Sequence, residues 1–110
     1  MKLGETRCLF SKILARHLVW LTEIGQNYAL DEGIDRLTEK DPTSDHMKNS
    51  NHDIGLAQDI VFYDENFNPL TRTEDHATSG VMWETRHPLC RWGGRFSDGN
   101  HYSFEWKGRK

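Results

Sequence analysis

Two short stretches of the chain hold the residues best suited to chemistry. The first is Ser50-Asn51-His52-Asp53-Ile54-Gly55-Leu56-Ala57-Gln58-Asp59, and the second is Asp98-Gly99-Asn100-His101. Imidazole and carboxylate ligands together suit a zinc ion that keeps one position open for water. A further carboxylate close to one ligand suits a general base. His52 and Asp59 are too far apart in sequence to converge on a single regular element, so a turn must fall between them. Gly55 supplies the backbone freedom for that turn. Asp59-Ile60-Val61-Phe62-Tyr63 then reads as a strand, with Asp59, Val61 and Tyr63 on one face and Ile60 and Phe62 on the other. A carboxylate carried on a strand is held rigidly, which favours a defined site. His101 to Trp106 alternates in the same way: Tyr102, Phe104 and Trp106 form an apolar face, and His101, Ser103 and Glu105 a polar one. His101 therefore points away from the core, where a site can form.

The pattern Ser-x-His-x-x-Gly-x-Ala-x-Asp, followed far downstream by Asp-x-x-His and an aromatic, resembles the zinc peptidases that cut bacterial cell-wall peptides. Here it is carried by Ser50, His52, Gly55, Ala57 and Asp59, and by Asp98, His101 and Tyr102. That family includes D-alanyl-D-alanine carboxypeptidases, vancomycin-resistance dipeptidases and the L-alanyl-D-glutamate endopeptidases of phage endolysins. The small size and the Trp92-Gly93-Gly94-Arg95-Phe96 run before Asp98 look most like the phage branch, and the resemblance covers about Asp31 to Trp106. It implies a Hedgehog/D-Ala-D-Ala-peptidase-like fold, zinc held by His52, Asp59 and His101, and Asp98 as general base. It also implies that Ser50 bonds the substrate and that Arg36 holds a substrate carboxylate or carbonyl oxygen. A guanidinium fork matches a carboxylate well; an ordinary surface arginine is the competing reading of Arg36.

The elements that must position these residues follow from the remaining pattern. Leu9, Phe10, Ile13, Leu14, Leu18, Leu21 and Ile24 recur at three and four residues, as one face of an amphipathic helix over about Glu5 to Ile24, closed by Gly25. His17 lies on or beside that stripe and reads as a packed histidine. Tyr28-Ala29-Leu30 reads as a short strand. Thr38 to Asn51 is polar and reads as a loop, with His46 an exposed loop residue. Asp64 to Pro69 is a turn signal closing a hairpin with a strand near Leu70; a calcium loop is the sharper alternative, but its central glycine and final glutamate are absent. Glu74 to His87 reads as a short helix ending before Pro88, with His76 and His87 solvated. Leu89 to Asn100 reads as a cleft-lining loop in which Trp92 is either a wall for substrate or a structural residue. Lys107 to Lys110 reads as a frayed basic tail. The architecture expected is α+β: an N-terminal helix and a small, mainly antiparallel sheet.

Composition narrows the function further. A chain of 110 residues with a formal net charge of -3 is a single small domain, over residues 1–110, whose modest core a metal could help to stabilise. Acidic and basic residues are interspersed, so no nucleic-acid footprint is expected. Lys2, Glu5, Arg7, Lys12 and Arg16 interrupt the apolar stretches near the N-terminus, which argues against a signal peptide and against a membrane span. A wall-cutting enzyme of this kind would be made in the cytoplasm and reach the wall during host lysis or from a virion. Cys8 and Cys90 form no paired motif and are expected to be free, buried thiols. The function expected is zinc-dependent hydrolysis of peptidoglycan stem peptides at the L-alanyl-D-glutamate bond. The alternatives are a D-alanyl-D-alanine carboxypeptidase of the same fold and a non-catalytic virion domain.

Overall fold

The computed structural model describes residues 1–31 and 51–110. Arg36, His46 and Ser50 lie outside these residues. Helix α1 spans Leu3–Glu23 and is followed by strand β1, Asn27–Asp31. A 3-10 turn at Asn51–Ile54 leads into β2, Ala57–Tyr63, and a tight turn brings the chain to the short β3, Pro69–Leu70. A second 3-10 turn, Thr73–His76, runs into helix α2, Ala77–Arg86, and then come β4, Cys90–Trp92, a third 3-10 turn, Gly93–Phe96, and β5, His101–Phe104. The strands form one antiparallel sheet in the order β1-β2-β5-β4, with β3 on the far part of β2. The α+β expectation therefore holds at the level of a helix followed by a small antiparallel sheet.

The helical stripe read from the sequence becomes the inner face of α1. Phe10, Ile13, His17 and Leu21 are buried there, while Ile24 is exposed. They meet the core face of the sheet, formed by Ile60 and Phe62 of β2, Tyr102 and Phe104 of β5, and Cys90 and Trp92 of β4. Trp83 of α2 closes the core edge-on against Phe10 and Tyr102. Its indole N–H donates to the carbonyls of Arg91 (3.0 Å) and Ser103 (3.1 Å), so the large ring is buried without a lost hydrogen bond.

A polar chain runs through this core. Arg86 Nε donates to His17 Nδ1 at 2.8 Å, which leaves His17 Nε2 as the protonated nitrogen, donating to Ser79 Oγ at 2.8 Å. The Tyr102 hydroxyl donates to the same Ser79 oxygen at 2.9 Å, so His76 Nδ1 donates to the Tyr102 oxygen at 2.7 Å. Ser79 and His17 stand as close as a nucleophile and its base, but the nitrogen facing the serine already carries its proton and both side chains are buried. The chain fastens α1, α2 and β5 together. Burial, helped by the charge of Arg86, pushes the His17 pKa down to about 3. Burial, opposed by Asp75, pushes His76 down to about 4. Both rings are held neutral.

Several expectations are corrected here. His76 is not solvated: it is buried and stacks on Phe62. His87 is half-buried against Phe104. Cys8 is exposed; only Cys90 is buried, where loss of solvation raises its thiol to about 12. The segment read as a continuous loop from Leu89 contains β4, whose three residues are too few to show a period. The basic tail is not frayed. Trp106 and Arg109 exchange both main-chain hydrogen bonds, at 2.8 and 2.9 Å, and the turn folds back onto the sheet.

Candidate metal centre

Asp59 sits in β2 with a strand on either side. Its register partner on β5 is His101 and on β1 is Asp31, so the three residues form one row across the sheet on the face opposite the core. His52 reaches the same point from the 3-10 turn that precedes β2. The turn is closed by hydrogen bonds from Gly55 N to His52 O (3.2 Å) and from Leu56 N to Asn51 O (2.9 Å). Gly55 takes a φ of 73°, the left-handed conformation expected of it, and β2 starts two residues later. His52 Nε2 lies 3.2 Å from Asp59 Oδ1, and His101 Nδ1 lies 3.4 Å from the same oxygen. One ligand atom from each of His52, Asp59 and His101 falls within 4.8 Å of the others, a group able to hold a metal ion.

The site is partly shielded. The His52 side chain is 16% exposed, against 8% for His101 and 6% for Asp59. Burial alone would raise the Asp59 carboxyl, but hydrogen bonds from His101 and His52, reinforced by their charges, hold it well below the usual carboxylate range. His101 moves the other way. Burial would lower it, but the Asp59 hydrogen bond, the Lys110 carbonyl and the charges of Asp59 and Asp98 raise it. Hydrogen bonds from the two imidazoles to the carboxylate span this space. A cation with affinity for nitrogen and oxygen can take their place, because the same lone pairs converge there.

The C-terminal turn completes the surroundings. His101 Nε2 donates to the Lys110 main-chain carbonyl at 2.9 Å, and Ser103 Oγ donates to the same oxygen at 2.6 Å. That bond fixes the ring so that Nδ1 faces Asp59, the arrangement that orients metal-binding histidines. Asn51 ties the turn to the other ligand. It is buried beside His52, and its Nδ2 donates to Phe104 O (2.6 Å) and Arg109 O (3.0 Å). Because this turn covers the site face, Ser103 and His101 are buried although they lie on the polar side of the strand. Asn51, Ser103, Asp31 and the Lys110 carbonyl are the neighbours that the motifs did not single out. The adjacency of Asn51 to His52 is a signal the sequence offered; a main-chain acceptor leaves none.

Asp98 is exposed, three residues before His101 in a loop held from several sides. Asp98 N donates to Gly93 O (2.8 Å), and His101 N donates to Asp98 O (3.1 Å). Gly93 is required at this packing: a Cβ there would collide with the Asp98 carbonyl oxygen and come within 2.7 Å of His101 Cβ. Glu84 of α2 braces the loop by accepting from Trp92 N (3.2 Å) and from Arg95 Nη2 (2.6 Å). Trp92 does not offer a wall to a ligand. It is only 6% exposed, faces the core beside Tyr102, and donates its indole N–H to Gly99 O at 2.7 Å. Its part is to fasten the loop that carries Asp98. Among the described residues no helix is long and apolar enough to cross a membrane.

Family models, curated proteins and solved structures all return no match to this chain.

Proposed function

We propose that the chain is a zinc-dependent peptidoglycan peptidase of the Hedgehog/D-Ala-D-Ala-peptidase-like kind, and that it cuts the L-alanyl-D-glutamate bond. The observation that carries this reading is the convergence of two imidazoles and one carboxylate on one point of the sheet, with an exposed aspartate three residues from one of them. Two histidines and a carboxylate form a catalytic zinc set that leaves a fourth position open. Zinc–nitrogen and zinc–oxygen bonds of about 2.0–2.1 Å place tetrahedral ligands roughly 3.3 Å apart. The distances of 3.2 and 3.4 Å from Asp59 Oδ1 to the two imidazoles fit that edge.

His52, Asp59 and His101 would hold the zinc ion, which would supply a Lewis acid for the scissile carbonyl and a water acidic enough to attack at neutral pH. The residues of the chain do the rest. His101, oriented through Nε2 by the Lys110 carbonyl, keeps Nδ1 in place. The Asp98 carboxylate accepts a proton from the attacking water as the new carbon–oxygen bond forms, and returns it to the nitrogen as the carbon–nitrogen bond breaks. Arg36 and Ser50 are the proposed substrate contacts, on the resemblance alone. Stem peptides of bacterial peptidoglycan are the proposed substrate, met during host lysis or on delivery from a virion.

The test is to incubate the zinc-loaded protein with purified peptidoglycan, beside a His52→Ala control, and to identify released peptides by mass spectrometry. New N-terminal D-glutamate ends are the expected result. Loss of terminal D-alanine would move the activity to the carboxypeptidase bond, and no difference from the control with zinc bound would overturn the enzymatic reading.

A further inference from the structure

We infer that Phe96 is a specificity-determining residue: its ring, standing open beside the metal-binding group, receives the side chain on the acyl side of the cut bond and favours a methyl there. The inference rests on the peptidase reading above and adds a substrate contact to it.

Exposure alone says little, since single apolar side chains on a surface are ordinary. What sets Phe96 apart is where it is held. It is 51% exposed, yet its ring meets the His101 ring edge-on, with 5.9 Å between the centroids. Phe67 is more exposed, at 72%, but sits in the turn after β2, at the other end of that strand from Asp59. Phe96 closes the third 3-10 turn, which has little freedom to move. A Cβ on Gly94 would run into the Trp92 ring, so the turn lies close against the indole. Arg95 is held by Glu84 at 2.6 Å, and its guanidinium carbon stands 5.7 Å from the centre of the Trp92 ring. Ser97 then reverses the chain with a φ of 64°, in the left-handed region that few residues other than glycine adopt. The core position beneath the turn is filled by Trp92. Phe96 is therefore kept in solvent, against a metal-binding histidine and two residues before Asp98.

The chemistry of the ring selects the group that meets it. A substrate placed for reaction has its scissile carbonyl at the group formed by His52, Asp59 and His101. An extended peptide advances only about 3.3–3.6 Å per residue. A ring 5.9 Å from the His101 ring therefore faces the residues joined by the cut bond rather than remote ones. The face of a phenylalanine ring is apolar and carries the negative end of its quadrupole, so it accepts a methyl and repels a carboxylate. Of the two residues in an L-alanyl-D-glutamate bond, the glutamate brings carboxylates and the alanine only a methyl. The alanine is the one that packs on Phe96. That contact takes apolar surface of both partners out of water, so it favours alanine over glycine on the acyl side.

The experiment compares two synthetic stem peptides, one beginning N-acetyl-L-alanyl-D-glutamate and the other N-acetylglycyl-D-glutamate. Cleavage by the zinc-loaded protein is followed by mass spectrometry. Binding is followed by NMR on the zinc-loaded Asp98→Ala variant, whose turnover is slow enough for a titration. A methyl enclosed in an apolar pocket changes kcat/KM by 10-fold or more, so on a half-open ring the expected preference for alanine is about 5–10-fold, carried by KM. Phe96→Ala should remove that preference, Phe96→Leu should keep part of it, and Phe67→Ala should leave it unchanged. In the titration the alanine methyl should show a nuclear Overhauser contact to the Phe96 ring protons. Zinc affinity, measured by chelator competition, should be the same in Phe96→Ala as in the parent. A preference that survives Phe96→Ala overturns the inference, and so does a loss of zinc affinity in that variant, which would make Phe96 a support for His101 alone. Cleavage with no dependence on Phe96 sinks the contact and leaves the peptidase standing. Phe96-dependent binding without cleavage by the parent protein supports the contact and sinks the peptidase, and absence of both binding and cleavage sinks both.

Discussion

Replacing Asn51 by alanine tests the support of the metal centre most directly. The Asn51 side chain donates to Phe104 O at 2.6 Å and to Arg109 O at 3.0 Å, and it is 1% exposed. Truncation takes the side-chain donor from the buried Phe104 carbonyl, while the Arg109 carbonyl keeps the Trp106 N–H and the unpartnered Asn51 Oδ1 is removed with the side chain. A buried polar group left unsatisfied costs about 1–3 kcal/mol, and that single loss sets the expected destabilisation. For a chain of this size that corresponds to a fall of about 5–15 °C in Tm. The second consequence is specific to the site. The turn anchored by Asn51 presents the Lys110 carbonyl to His101 Nε2, and loss of such an outer hydrogen bond typically costs 10–100-fold in metal affinity. Two measurements separate these effects: thermal unfolding of the metal-free protein, and zinc affinity by competition with a chromophoric chelator at a temperature where both proteins are folded. Metal-free Asn51→Ala with unchanged Tm would refute the anchoring role. A lowered Tm with unchanged zinc affinity would refute the link from the turn to His101, leaving Asn51 a purely structural residue.

Other perturbations address the base, the loop and the buried rings. Asp98→Ala should retain zinc while losing about 10²–10⁴-fold in turnover, and His52→Ala or His101→Ala should lose both; zinc released by Asp98→Ala and retained by the other two would reverse the roles. Gly93→Ala places a methyl against the Asp98 carbonyl and His101 Cβ. It should destabilise by about 1–3 kcal/mol and lower turnover beyond what the stability loss explains, read by urea unfolding beside a peptide-release assay at low temperature. His17 and His76 have folded pKa values near 3 and 4, below the unfolded value of 6.5. The unfolded chain therefore binds more protons between those limits, so their contribution is complete above pH 6.5 and falls as the pH drops through 4 and then 3. Each ring gives up at most about 1.4 kcal/mol per pH unit. The urea midpoint should drop between pH 6.5 and 4.5, with a shallower slope in His17→Gln, and a midpoint constant over that interval would contradict the neutral burial of both rings. His101, whose pKa is raised, contributes in the opposite sense and above pH 6.5, outside that window.

Local pattern and tertiary arrangement divided the work unevenly. The apolar spacing of Phe10, Ile13 and Leu21 specified α1, because a helix facing a core must repeat near 3.6 residues. Alternation fixed the core faces of β2 and β5, with Ile60, Phe62, Tyr102 and Phe104 inward. Gly55 marked the turn that returns His52 towards Asp59, since a φ of 73° there is strained for other residues. The residue types in the two motifs were themselves the signal for a metal. β4 was not legible, because Cys90-Arg91-Trp92 is too short to show a period and sits in a glycine-rich run.

What the sequence alone determined is which residues could act and which face of each strand they occupy. Only the tertiary structure decided that they meet, because the pairing of Asp59 with His101 is a register between strands far apart in the chain, set by packing of the whole sheet rather than by local preference. Burial of His17 and His76 was likewise decided by partners on other elements: a histidine is placed inside when distant donors and acceptors satisfy both ring nitrogens or leave one harmlessly bare, and no local pattern records that. The tail is the clearest case. Its composition reads as solvated, yet it folds onto the sheet because Asn51, Ser103 and His101 each donate to its main-chain carbonyls, and every residue type presents the same carbonyl.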